Sequence, residues 1–224
     1  MSISAAAFLI LTVVVLPLLA WLSKKKLDQG FTFPRLPFYL ESIGIQTILL
    51  TASVTVAWLS RIPLRFDLPD PGEIVLGLGV LFVALATMVL GWRLASEITK
   101  QRLLAIVPAT RKERIVWIVV SAAAALGEEV TYRGVLFELM HGVFGTWLVA
   151  ALIASTIFAG AHLVQGWKNA GIIVVFAFVF HLLVRVTGSL TTAVAIHFLY
   201  DLITGYTLPR LERRKAIDDD EPNV

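Results

Sequence analysis

The stretch Gly127-Glu128-Glu129-Val130-Thr131-Tyr132-Arg133-Gly134 places two carboxylates and a guanidinium in an apolar run that begins near Ile115. A charged residue such as Arg or Asp at the centre of a membrane helix costs roughly 2.5–3.5 kcal/mol, so helix stability gives no reason for this cluster. Glu129 and Arg133 are four residues apart with the acid first, the better order for an ion pair on one helix face. Glu128 points about 100° away from its neighbour. We therefore predict that Arg133 neutralises Glu129, and that Glu128 faces a cavity and is the candidate for chemistry.

The composition is that of a membrane protein. The 224 residues are 58% hydrophobic and 16% charged, and the mean hydropathy is +0.82. Soluble domains carry about 45–50% apolar and about 25% charged residues. We therefore expect an all-α polytopic transmembrane helical bundle. The chain has no cysteine, which excludes a thiol nucleophile and a disulfide framework. The net charge of +3 follows from membrane topology and gives no reason to expect nucleic acid as a partner.

Apolar runs predict seven spans, or eight if an amphipathic segment is added. The seven runs cover about residues 3–22, 39–59, 74–91, 115–137, 146–163, 171–186 and 190–206. Residues 92–107 are amphipathic and predict either an interfacial helix or a continuation of the third span. The first run has no basic region before it, so we expect an uncleaved span instead of a signal peptide.

The placement of lysine and arginine predicts the orientation. With the N-terminus outside, 15 of the 19 basic residues fall in cytoplasmic connections or in the charged tail, residues 207–224. Arg61 and Arg65 fall in an outer loop, and Arg133 and Arg185 lie within spans. We therefore expect an integral membrane protein with an odd number of spans and a cytoplasmic C-terminus. The location that we expect for it is a bacterial cell membrane.

Two later apolar runs each carry a histidine four residues from a second notable side chain. Phe158 and His162 share one helix face, and the small residues between them let another helix approach. His197 and Asp201 also share a face, so the carboxylate could fix the imidazole's tautomer or act beside it in a site. Counted along the predicted spans, Glu128 and His197 come out near mid-membrane. His162 comes out closer to the cytoplasmic side, unless a helix is tilted or broken.

Each of these polar features also has a structural reading. The first histidine could lie at the cytoplasmic interface, the second could form a self-contained polar pair, and the acidic cluster could be an ion pair that only stabilises the bundle. His181 and Arg185 are predicted to be structural, with Arg185 reaching the outer interface. His141 is predicted in a short outer loop and is given no role. The chain contains no zinc-protease helix, serine-hydrolase motif or phosphate-binding loop of the common patterns.

The order of the three polar motifs resembles a known family. Glu-Glu-x-x-x-Arg, then Phe-x-x-x-His, then His-x-x-x-Asp, on successive apolar helices, is similar to the CPBP (Abi) family, which contains the type II CAAX prenyl endopeptidases. The resemblance covers about residues 108–206, which would form the catalytic membrane core, with residues 1–107 as N-terminal helices. Gly134 and the lead-in at residues 108–114 are also similar to that family.

The resemblance implies a glutamate-type intramembrane peptidase. Glu128 matches the general base that activates a water, and His162 matches the histidine that holds this water and shuttles its proton. His197 matches a second histidine that stabilises the oxyanion with the residue four positions later. Many members have Asn there, whereas Asp201 can donate only if protonated. The positions that would support the site are Glu129, Arg133 and Phe158.

The resemblance leaves two questions open: whether a metal takes part, and whether the protein is an enzyme. We expect no metal, because no span carries two histidines four residues apart, but two histidines and one glutamate could also form an open zinc site. The expected partners are a membrane-anchored protein or peptide substrate and the lipid bilayer. The alternative functions are a non-catalytic or immunity-type membrane partner of the same fold, and a transporter or proton pathway.

Overall fold

The described part of the chain is built from helices. The computed structural model describes residues 2–31 and 33–220, except the side chains of residues 168 and 213–220. Within those ranges it contains helices, turns and short connections, and no strand. The all-α bundle expected from composition is therefore confirmed. In chain order the helices are α1 Ile3–Asp28, α2 Arg35–Ser60, α3 Pro71–Leu94, α4 Glu97–Ile106, α5 Arg111–Phe144, α6 Trp147–Ala161, α7 Trp167–Thr187 and α8 Thr191–Asp220.

Five described helices are long and apolar enough to cross a membrane. They are α1, α2, α3, α5 and the Asn169–Thr187 part of α7. Helix α6 is apolar but has only 15 residues. At 1.5 Å per residue it is about 22 Å long, shorter than the hydrocarbon core of about 30 Å. Helix α6 alone is therefore too short to cross that core.

The amphipathic segment at residues 92–107 is not a continuation of the third span. Helix α3 ends at Leu94, and the separate helix α4 begins after Ser96, whose side chain accepts from the backbone of Thr99. Tyr39 and Arg35 at the start of α2 donate hydrogen bonds to the backbone oxygens of Ile106 and Leu104, at 2.7 and 2.8 Å. Helix α4 is thereby fixed as a short helix across one end of the bundle.

Helix α5 is the centre of the bundle. Of the apolar window of α5, 56% is buried within the protein, against 28% or less for the other four spanning helices. It starts at a capping box in which Thr110 and Glu113 satisfy each other's free backbone donors. It packs against α2 on one side and α8 on another. Because α5 carries the charged stretch, these contacts bring the polar groups of other helices to it.

The end of α5 corrects the prediction for His141. The fourth span was expected to end near residue 137, with His141 in a loop. The helix instead continues to Phe144 and ends at Gly145, which adopts a left-handed conformation at φ 70° that favours glycine. His141 therefore lies on α5, with its ring stacked on Phe137 at 5.7 Å. The helix runs through Gly142 and ends only where Gly145 takes up the left-handed conformation.

Some of the basic residues used to predict the orientation have side chains that the structure does not describe. The side chains of Lys168, Arg213, Arg214 and Lys215 lie outside the described residues, as does the whole of the segment 221–224. The backbone of α8 continues through Pro209 to Asp220, beyond the end of the predicted seventh span at residue 206.

Candidate active site

The Glu128 carboxylate is buried between α2, α6 and α8. The residue is 8% exposed and is the last of the regular α-helical part of α5, before a π-helical segment at Glu129–Leu136. Segments of π-helix are rare and often lie at functional sites. Its Oε1 accepts a hydrogen bond of 2.6 Å from Nε2 of Gln46. Its Oε2 has no hydrogen-bond partner among the described residues and lies 3.6 Å from Nε2 of His162 and 3.8 Å from Nε2 of His197.

His162 reaches this carboxylate because α6 is short. The helix ends at Ala161, and His162 is its C-terminal capping residue. The helix end therefore lies level with Glu128. Counting along the predicted spans had placed His162 closer to the cytoplasmic side than Glu128, and the structure brings the two together. His162 Nδ1 lies 2.9 Å from the backbone oxygen of Phe158, and a carbonyl can only accept, so Nδ1 carries a proton. In neutral His162 the Nε2 lone pair then faces Glu128.

Glu129 holds both Arg133 and His197. The predicted ion pair is present, with Arg133 Nη1 at 3.0 Å from Glu129 Oε1. The same oxygen accepts a hydrogen bond of 2.8 Å from Nδ1 of His197. Glu129 is fully buried, so neither contact is exposed to water. Glu129 thus fixes the His197 tautomer with Nδ1 protonated and Nε2 turned towards Glu128.

Asp201 lies beside the opposite nitrogen of His197. Its Oδ2 is 3.5 Å from His197 Nε2. The sequence left open whether Asp201 fixes the tautomer of His197 or acts beside it. Because Glu129 holds Nδ1 and orients the ring, Asp201 takes the second place. The backbone oxygen of Asp201 accepts a hydrogen bond of 3.0 Å from the Trp117 indole, which ties α8 to α5 at this level.

Two aromatic rings enclose Arg133. Its guanidinium carbon lies 4.5 Å from the ring centroid of Phe158 and 5.3 Å from that of Phe180. Cation–π contacts of this kind stabilise a guanidinium that is removed from water. The Phe158 ring also lies 4.3 Å from the His162 ring. Phe158 therefore contacts both His162 and Arg133.

A cavity of about 140 Å³ borders the two imidazoles. It is lined by His162, His197, Asp201 and Arg133, and by apolar residues of α7. It is larger than the ~10–15 Å³ that one water needs. Glu128 was expected to face a cavity. It is not among the residues that line this one. Gln46 holds its carboxylate on the α2 side, and the imidazoles lie between it and the cavity.

A second cavity of about 190 Å³ continues from the first towards α4. The two share Gln165, Tyr200 and Asp201 and three apolar residues of α7. The second cavity reaches Trp92 and Thr99, at the end of the bundle closed by α4. The second cavity is therefore adjacent to the site, on the side of the bundle closed by α4. No group of three or more His, Cys, Asp or Glu side chains within the described ranges has the arrangement of a metal site.

The segment that carries most of this site matches the model of a known family. Residues 110–203 match the family model described as type II CAAX prenyl endopeptidase Rce1-like. This segment, which is under half of the chain, is similar to the Rce1-like family. The match includes every site residue from Glu128 to Asp201, and it agrees with the resemblance stated from the motifs. Searches of curated proteins and of solved structures found no match.

Gln46 is the contact that sequence reasoning missed. It lies on α2, outside the segment matched by the Rce1-like family. Glycine at position 127 makes the contact possible, because a Cβ there would lie 2.6 Å from Gln46 Oε1. Two turns further along α2, Ser53 and Thr131 share a hydrogen bond of 2.8 Å. Gln46 is a polar residue in an apolar span, and such residues favour contacts between helices. That pattern could have identified Gln46 from the sequence.

The other predicted polar face lies away from the site. His181 is buried against Phe137, with ring centroids 5.3 Å apart. The Arg185 guanidinium carbon lies over the Trp147 ring at 4.5 Å. Among the described side chains, neither forms a hydrogen bond, ion pair or ring contact with Glu128, His162 or His197. Both instead border a different cavity, towards the connection between α2 and α3.

Proposed function

We propose that this chain is an intramembrane endopeptidase that hydrolyses a peptide bond in a membrane-associated protein, using a water activated by Glu128. The observation that carries the proposal is the free Oε2 of Glu128, 3.6 and 3.8 Å from the Nε2 atoms of His162 and His197. The similarity of residues 110–203 to the Rce1-like family supports the same reaction class. Three ionisable groups from three helices inside a membrane have no comparable use in helix packing alone.

The nucleophile is a water bridging Glu128 and His162. An oxygen about 2.8 Å from both Oε2 and Nε2 is compatible with their separation of 3.6 Å. Such a water donates one hydrogen to the carboxylate and the other to the His162 Nε2 lone pair. Its own lone pair is then directed at a substrate carbonyl that enters from the cavity. Glu128 takes the proton as the oxygen–carbon bond forms.

The developing oxyanion lies on the His197 side. When His197 carries a proton on both nitrogens, its Nε2–H donates to the oxyanion, while Glu129 holds Nδ1. Asp201 contributes a second donor when it is protonated. Collapse of the tetrahedral intermediate breaks the carbon–nitrogen bond. The proton held by Glu128 passes to the leaving nitrogen, and the acid proton of the new carboxyl group passes through His162 to the amine, which gives a carboxylate and an ammonium group as products.

Gln46 is the positioning residue of this mechanism. Its Nε2 donates to Glu128 Oε1, so the free Oε2 is the oxygen that is turned to the imidazoles. The carboxylate therefore needs no reorganisation before it accepts a proton, the condition under which a buried base is most effective.

The test compares wild type with Glu128→Gln in liposomes that contain a fluorogenic membrane-anchored peptide. Glu41→Gln is the matched control, since Glu41 is exposed on α2 and outside the site. We expect cleavage to be lost in Glu128→Gln and unchanged in Glu41→Gln. Full activity in Glu128→Gln would refute the mechanism. Substrate binding without cleavage by wild type would favour the non-catalytic membrane partner.

A second comparison in the same liposomes tests which substrate is cleaved. The family name supports a protein with a prenylated C-terminal end, and the cavity next to the imidazoles lies among apolar side chains of α7. A prenylated peptide and its unmodified counterpart, both held in the membrane by the same anchor, separate the two possibilities. Faster cleavage of the prenylated peptide supports lipid recognition, and equal rates indicate that membrane anchoring is sufficient.

A further inference from the structure

We propose that the bundle holds a second site, for a phosphate group, at the end opposite to α4. A cavity of about 390 Å³ lies there, between the connection from α2 to α3, the end of α5 and the end of α7. It is separate from the candidate active site except for one shared lining residue, Arg133. Its charged and ionisable lining residues are Arg65, Arg133, Glu138, His141, His181 and Arg185.

The charge of this cavity favours an anion. Arg133 is neutralised by Glu129, so the remaining formal charges are those of Arg65, Arg185 and Glu138. Two guanidinium groups against one carboxylate leave an excess of positive charge before either histidine is counted. Guanidinium groups present paired donors that match phosphate oxygens.

Two buried nitrogens in the cavity wall have no hydrogen-bond partner in the part of the chain that the structure describes. His181 is 4% exposed, and its Nε2 has no hydrogen bond. Arg133 is also 4% exposed, and its Nε has none. Buried polar groups in proteins are almost always satisfied, so such nitrogens call for a partner that occupies the cavity. Phosphate oxygens accept hydrogen bonds from both a guanidinium and an imidazole N–H.

The rim of the cavity is held in place by hydrogen bonds. The backbone oxygen of Arg65 accepts from the backbone nitrogen of Leu190 at 2.9 Å. The Ser189 hydroxyl accepts from the backbone nitrogen of Asp67 at 3.0 Å. The connection that carries Arg65 is thus tied to the turn after α7. An arginine on a fastened loop loses less conformational entropy when it binds a ligand.

The position of the cavity matches the level of lipid headgroups. Helix α2 ends at Ser60, α3 begins at Pro71 and α7 ends at Thr187, all at this end of the bundle. Arg185 stacks on Trp147 at the same level, and tryptophan is enriched at membrane interfaces. The phosphate can therefore come from a phospholipid headgroup or from free phosphate, and the chemistry of recognition is the same. This inference does not depend on the proposed peptidase activity.

Native mass spectrometry and thermal unfolding of the purified protein test this site. Retention of phosphatidylglycerol is compared between wild type and Arg65→Gln/Arg185→Gln, and melting is measured in detergent with and without inorganic phosphate. Arg61→Gln is the matched control, because Arg61 is exposed in the same connection and does not line the cavity. Arg65→Lys/Arg185→Lys keeps the charge and serves as the check that substitution itself does not unfold the protein.

Each outcome either supports or overturns the phosphate site. We expect retention at least about tenfold lower in the double glutamine variant, unchanged in the control and partly kept in the lysine variant. Phosphate-dependent stabilisation of wild type, absent from the double glutamine variant, would identify free phosphate as a ligand. Equal retention of phosphatidylglycerol by wild type and the double glutamine variant, with no response of either to phosphate, would overturn the proposal. An equal loss in Arg61→Gln would also overturn it.

Discussion

Nδ1 of His197 lies 2.8 Å from Oε1 of Glu129, the same oxygen that pairs with Arg133. One buried carboxylate therefore neutralises a cation on its own helix and orients an imidazole on α8. The second acid of the Glu128-Glu129 pair acts on the histidine instead of competing with the first acid for a proton. The two neighbouring glutamates serve different tasks because each faces a different helix.

Glu129→Gln is expected to destabilise the protein and to reduce cleavage. The substitution leaves the Arg133 charge buried without its partner, and breaking a buried pair typically costs about 3–5 kcal/mol. Adding Arg133→Met removes the unpaired charge and should restore much of the melting temperature. Cleavage should stay low in the double variant, because His197 still lacks its orienting carboxylate. Recovery of cleavage together with stability would contradict the role given to Glu129.

Gln46→Leu is expected to lower kcat and to leave KM nearly unchanged. A hydrogen bond to a charged group contributes about 1.5–3 kcal/mol, which corresponds to roughly 10- to 100-fold in rate. Gln101→Leu is the matched control, since Gln101 is an exposed glutamine on α4. Steady-state kinetics in liposomes and a melting curve separate positioning from folding. A change in melting temperature with no change in kcat would make Gln46 purely structural.

Asp201→Asn is expected to keep cleavage and to flatten its decline at high pH. An asparagine amide donates a hydrogen bond at any pH, whereas an aspartate donates only when protonated. The oxyanion contribution of wild-type Asp201 should therefore fade as the pH rises, and that of the variant should not. The measurement is a pH–rate profile of wild type, Asp201→Asn and Asp201→Ala. If the asparagine variant were as impaired as the alanine variant, Asp201 would act as a carboxylate.

Chelation is expected to leave cleavage unchanged. The proposed mechanism routes the proton through Glu128 and the two histidines and assigns no step to a metal. Activity is measured after dialysis against 1,10-phenanthroline and again after addition of zinc. Loss that is reversed by zinc would instead assign Glu128, His162 and His197 as ligands of an open zinc site.

The orientation of the chain can be tested with single cysteines, because the sequence contains none. Ser2→Cys lies at the start of α1, and Gln101→Cys lies on α4 at the other end of the bundle. With the N-terminus outside, a membrane-impermeant maleimide should label the first in intact cells. It should label the second only after the membrane is opened. The reverse pattern would invert the proposed topology.

The all-α bundle and the Glu129–Arg133 pair are visible in the sequence because both depend on local spacing. Apolar runs of span length define helices in a membrane, and residues four apart on a helix face the same side. The three polar motifs also follow from their spacing, and their order led to the family that residues 110–203 match.

Contacts between helices were decided only by the tertiary structure. The Gln46–Glu128 hydrogen bond joins residues 82 apart, and the His197–Glu129 contact joins residues 68 apart. The approach of His162 Nε2 to within 3.6 Å of Glu128 Oε2 likewise joins two helices. Spacing along one helix fixes which side chains share a face. Which face meets which helix depends on how the whole bundle excludes lipid and satisfies its buried polar groups, and no single segment carries that information.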